Sequence, residues 1–147
     1  MNQAKNKAIL KHLREIRQFR ETRAGNHLGR ARNLARQAEA DTREKAELRL
    51  KHSAEAAMIE KEILATMAGK TITMSSLHYL EAFQQRTAAV GADHRNEEAA
   101  AQSSLDQANR KLDDEQDRFR KVQASKMKLE ELIDQLNKSA DIDGWSV

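Results

Sequence analysis

The residues Leu105, Ala108, Leu112, Glu115, Phe119, Val122, Lys126, Leu129, Ile133 and Leu136 follow one another in alternating steps of three and four. An average step of about 3.5 keeps side chains on one narrow stripe of an α-helix, and such a stripe is buried by supercoiling against a second helix. The stretch therefore demands a helical partner. Glu115 and Lys126 interrupt the apolar run, and polar residues at such positions weaken packing while selecting register and partner.

The partner lies in the first half of the chain. Ile9, Leu13 and Ile16, then Leu28, Ala31, Ala35 and Ala38, also step by four and three, and nothing from about Asn2 to Met67 ends a helix decisively. Proline would remove a backbone donor and clash inside a helix, and the sequence has none. With 33% charged and only 3% aromatic residues, and abundant Ala, Glu, Lys, Arg, Gln and Leu, the composition suits long helices over a broad-cored globule. Ala24, Gly25 and Gly29 form a small-residue patch where a weak but continuous helix is expected. Ala46, Leu50, Ala54, Ala57, Leu64 and Ala68 extend the stripe, mainly in alanine.

Ala68 to Ser76 combines Gly69, the β-branched Thr71, Ile72 and Thr73, and two serines, a mixture that favours turns and helix starts. The expected fold is all-α: a helix over about 2–67, a turn over about 68–76, a second helix over about 76–138 and a frayed tail over 139–147 that includes Trp145. Together they make a single antiparallel coiled-coil hairpin. Helices of about 60 residues would span roughly 90 Å each, so the hairpin would be a rod. With the turn near Ile72, the numbers of facing residues should sum to about 144. That register sets Leu13 and Ile16 against Leu129 and Ile133, and Ala31 and Leu34 against Leu112 and Ala108. It also puts Glu115 near Arg30, a pair expected to hold the register. Around Gly91, Ala92, Asp93 and His94 the apolar phase can no longer be followed backward from Leu105, which predicts a stutter or local kink.

Signals for chemistry are weak. Gly69-Lys70-Thr71 resembles the end of a phosphate-binding loop, but position 64 is leucine where the motif needs glycine, so the turn reading wins. His12, His27, His52, His78 and His94 are scattered, and none has another histidine four residues on, so each is expected to be a solvated helical residue. Asp141-Ile142-Asp143-Gly144 lacks the further acidic ligands of a calcium loop. Without cysteine, thiol chemistry and disulfides are excluded and a reducing cytosol is the simpler home. No apolar run approaches a membrane span, so no membrane insertion is expected. No metal, cofactor or catalytic group is predicted.

Two surfaces could bind partners. Residues 1–36 hold ten Lys and Arg against Glu15 and Glu21, while 113–147 hold nine acids against six bases, so an antiparallel fold would bring complementary ends together. Within the basic start, Arg14, Arg17, Arg20 and Arg23 lie three residues apart beside Leu10, Leu13, Ile16 and Phe19. This row is either a solvated flank or a contact for an acidic protein. Nucleic acid is disfavoured, because only Tyr79 and Trp145 could join the phenylalanines in stacking and no reading module is recognisable. The second surface is Leu77, Tyr79, Leu80 and Phe83, just after the turn: either a plug closing the hairpin tip or a docking site.

The layout resembles a known family, the small central-stalk proteins of type III secretion, comprising YscO and HrpO of injectisomes and FliJ of the flagellum. The likeness rests on the length, the two-helix organisation, the basic amphipathic start Lys11-His12-Leu13-Arg14-Glu15-Ile16-Arg17, and the turn Ala68-Gly69-Lys70-Thr71-Ile72-Thr73 leading into Leu77-His78-Tyr79-Leu80-Glu81-Ala82-Phe83. Leu77 and Leu80 at the start of the second helix, with an acidic tail, favour the injectisome branch. What the resemblance implies is a non-enzymatic, cytoplasmic stalk at the base of the secretion apparatus. Its terminal end, with Arg14, Arg17, Arg20 and Arg23, would enter the hexameric export ATPase. Its shaft or turn side, with Leu77, Tyr79, Leu80 and Phe83, would meet the export-gate membrane protein or secretion chaperones. A general coiled-coil adaptor or holding chaperone is the competing class, with nucleic-acid binding a distant third.

Overall fold

The computed structural model describes residues 2–140. Helix α1 spans Asn2–Met67 and helix α2 spans Met74–Ala140, which makes the protein an all-α antiparallel hairpin. The helices pack in two units: among the described residues the first pairs 2–35 with 108–140, and the second comprises Arg36–Gln107. The tail with Asp141 to Gly144 and Trp145 lies outside the described residues.

The turn is built by two local devices. At the end of α1 the Ala68 N–H donates to the Leu64 carbonyl (3.1 Å) and the Lys70 N–H to the Met67 carbonyl (3.3 Å). Gly69, at φ 73°, takes the left-handed conformation that breaks the helix. Thr73 then caps α2: its Oγ1 accepts the Ser76 N–H at 3.1 Å while its carbonyl accepts the Leu77 N–H at 3.1 Å. This cap starts α2 at Met74, slightly before the expected position, and α2 continues to Ala140 rather than ending near 138.

All ten seam positions from Leu105 to Leu136 are buried or half-buried, with Ile133 the most enclosed at 2% exposure. On α1 the facing seam runs Arg17, Glu21, Ala24, Leu28, Ala31, Ala35 and Ala38. The same steps continue to Thr42, Lys45, Arg49, His52 and Ala56, not to the alanine stripe through Leu50 and Leu64. Leu50 is 58% exposed and Leu34 50%, so neither faces α2. One residue turns a helix by about 100°. A stripe read one position out of phase with Leu28, Ala31 and Ala35 therefore points away from the interface. Ile9 and Leu13 are displaced by that single residue too, and both are exposed.

The expected break near Gly91 does not occur. From Leu105 the seam runs back in phase through Ala101, Glu98, His94 and Gly91 to Thr87, all buried or half-buried within one uninterrupted helix. The apolar pattern vanishes there because the seam itself is polar. Gly25 and Gly29 likewise leave α1 continuous, with Gly25 facing the Phe119 ring at 3.5 Å from where a Cβ would stand.

The expected register holds: Arg14 meets Glu130, Gly25 meets Phe119 and Glu60 meets Gln84. Its anticipated lock is different. Glu115 is buried but pairs with Arg118 of its own helix at 3.3 Å. Arg30 is exposed because it lies about 100° from the buried Ala31. The ion pair that ties the seams of the first unit together is Lys126 with Glu21, 3.1 Å apart and about three-quarters shielded on both sides.

Three expectations follow, each read by urea denaturation. Glu21→Leu or Lys126→Leu alone strands a half-buried charge and should cost about 1 kcal/mol, whereas the double change should recover most of that loss. Gly29→Ala meets no atom within 4 Å and should stabilise by about 1 kcal/mol. Gly69→Ala, forced into the left-handed region, should destabilise by a similar amount.

Candidate functional site

In the first unit the Arg row divides. Steps of three fall short of a helical turn by about 60° each, so four such residues wind around α1. Arg14 forms an ion pair with Glu130 at 3.0 Å, and Arg17 is half-buried in the seam. Only Arg20 and Arg23 reach one common surface. There they line an open groove of about 350 Å³ with Ala24 and His27 of α1 and Glu115, Arg118, Lys121 and Val122 of α2.

This groove gathers five basic side chains around a floor containing Ala24 and Val122. Among the described residues Arg20, Arg23, His27 and Lys121 make no ion pair or hydrogen bond, and Arg118, with its side chain 73% exposed, is held only by Glu115. Since α2 is acidic toward its end, the sequence suggested mutual neutralisation. Instead the α2 cations add to those of α1, because Arg118 and Lys121 each precede a seam residue and fall on the same flank as Arg20 and Arg23. The acids Glu21, Glu130, Glu131 and Asp134 line a separate groove of about 360 Å³ with Gln123, Lys126 and Met127. Seam neighbours explain the split: Glu130 and Asp134 each follow a seam residue. Sequence reasoning missed Arg118, Lys121 and His27, although their phase relative to Phe119, Val122 and Leu28 carries the signal.

In the second unit the four apolar candidates also separate. Leu80 and Phe83 are half-buried at the interface, whereas Leu77 and Tyr79 are exposed, Tyr79 by 58%. Tyr79 borders a groove with Ile59, Glu62, Ile63, Thr66, Met67, Ser75 and Ser76. Ile72 and Met74 are exposed beside it, so plug and open surface coexist at the turn.

Further along the second unit the polar seam closes on itself. Arg49 pairs with Glu98, Lys45 lies 3.8 Å from Glu97, and the His52 Nε2–H donates to the Thr87 carbonyl at 3.2 Å. The His52 and His94 rings stand 5.1 Å apart, tilted by 40°. These two histidines are therefore not independent solvated residues; they meet across helices, a pairing that spacing along one helix could not reveal. Among the described residues no group of three or more His, Asp or Glu is placed to hold a metal. No described helix is long and apolar enough to cross a membrane.

No protein-family model matches the sequence, and no curated protein or solved structure is similar enough to count as a match.

The division at the turn predicts unequal costs in chemical denaturation. Tyr79→Ala should change stability by less than about 0.5 kcal/mol, while Phe83→Ala, which empties part of the interface, should cost about 1–2 kcal/mol.

Proposed function

We propose that the protein is a non-enzymatic central stalk of a type III secretion system, acting in the cytoplasm at the base of the apparatus and linking the hexameric export ATPase to the export-gate membrane protein. The observation that carries this reading is the antiparallel two-helix hairpin whose terminal unit bears unpaired Arg20 and Arg23 with Arg118 and Lys121. It joins the resemblance in length, basic start and mid-chain turn to the small stalk proteins. A shallow, charged contact suits a shaft seated in a ring, because exposed ion pairs hold orientation without a deep apolar lock. The exposed Leu77 and Tyr79, with Ile72 and Met74, offer the apolar surface that an export gate or a secretion chaperone would use.

The same exposed apolar group also suits an adaptor or holding chaperone, and one measurement separates the two readings. ATP hydrolysis by a purified type III export ATPase should rise when the protein is added. Reversal of Arg14, Arg20 and Arg23 to Glu, leaving half-buried Arg17 in place, should abolish that rise without lowering helix content. Salt should weaken the effect, since exposed charges are screened beyond roughly 8 Å at physiological ionic strength. Equal stimulation by the variant would reduce the row to a solvated face; no stimulation by the unmodified protein would leave the adaptor reading.

A further inference from the structure

Deepening the reading that the terminal end docks a protein, we infer that the flank of the first unit seats one amphipathic helix, apolar at one end and acidic at the other. The α1 wall of the cationic groove does not stop at Arg20. Counting back in steps of three and four from Arg23 and Arg20 leads to Ile16, Leu13 and Ile9, of which Leu13 and Ile9 are exposed. The α2 wall repeats the pattern: from Lys121 the same phase passes Ser125 and exposed Lys128 to Leu132, which is also exposed. The register brings Leu132 level with Leu13.

One flank thus carries an apolar stretch from both helices, followed by a basic stretch from both helices. From Ile9 to His27 it runs for roughly 27 Å, the length of a helix of about five turns. Ile9, Leu13 and Leu132 keep 56%, 38% and 46% of their surface exposed in phase with unpaired cations, and the order of the two stretches dictates the chemistry of the occupant. Leucine-like anchors would cover Ile9, Leu13 and Leu132, and carboxylates would meet Lys128, Arg20, Arg23 and Lys121. Glu115, buried in the floor, is already matched by Arg118 at 3.3 Å, which leaves Arg20, Arg23 and Lys121 for the carboxylates of the occupant. A nucleic acid would have no use for the apolar half of the flank, and no phenylalanine, tyrosine or tryptophan lines the groove to stack a base.

The test uses a labelled helical peptide of about 18 residues with leucines at i, i+4 and i+7 in one half and glutamates at the equivalent positions in the other. Fluorescence anisotropy with the full chain should give saturable binding that weakens about tenfold between low and physiological salt. Lys121→Glu with Lys128→Glu should weaken it about tenfold, and Leu13→Ala with Leu132→Ala at least threefold, as expected for rim charges and small apolar anchors. Lys51→Glu with Lys61→Glu, exposed in the other unit, should leave it within twofold, as distant charges do. Circular dichroism should show unchanged helicity in all three. No saturable binding, equal loss in the Lys51 and Lys61 variant, or tighter binding to a single-stranded oligonucleotide or to phosphatidylserine vesicles would overturn the inference. Because the peptide assay contains no ATPase, its failure is separable from failure of the stalk reading. A chain that binds the peptide yet never stimulates an export ATPase keeps the seat and loses the stalk.

Discussion

The phase of the seam is the constraint on which everything else depends. A helix is too stiff to change its facing side without a break, so buried Leu28, Ala31 and Ala35 determine which residues face α2 for many turns in either direction. In the second unit those residues are Thr42, Lys45, Arg49 and His52, facing Thr87, His94, Glu97 and Glu98. Each is there because its neighbours in phase are there. The interface accommodates them through cross-helix ion pairs, a histidine-to-carbonyl bond and a ring contact, and no side-chain polar atom among the described residues is left buried without a partner. Such a seam gains less from burial than an apolar one, and it gives up specificity less readily, because a slipped register would strand charges.

The same phase sorts the surface. Positions just before a seam residue form one flank of the first unit and positions just after it form the other. Arg20, Arg23, Arg118 and Lys121 fall before; Glu130 and Asp134 fall after. A chain with a net charge of only +3 therefore presents strongly unlike flanks. Potential of this kind governs encounter and orientation with a charged partner more than it governs stability. Among the described residues of the first unit, the ion pairs between the helices include Arg14 with Glu130 and Lys126 with Glu21, and the second is the better shielded.

At the turn, local chemistry and packing divide the labour. Gly69 and Thr73 settle where the helices stop and start, while Leu80 and Phe83 hold them together just beyond. Leu77 and Tyr79 are free of that duty, since two helices can shield only the sides that face each other. Apolar side chains left outward beside a turn are available to a partner at little cost to the fold.

What the sequence determined by itself was the helical content, the place of the turn, the register and the whole α2 seam from Leu105 to Leu136, because in each the hydrophobic period or a cap residue states the answer locally. The seam of α1 was legible only across Leu28, Ala31, Ala35 and Ala38. Beyond them the sequence offers competing apolar rows, such as Ile9 with Leu13 or Leu50 with Leu64, and periodicity cannot choose between rows one residue apart. Tertiary structure made that choice, since only one row can face α2 once the buried residues are engaged. It also decided the meeting of His52 with His94, the partner of Lys126, the dissolution of the Arg row, and the groove drawn from both helices. All of these depend on which side chains two helices bring together, and that information resides in neither helix alone.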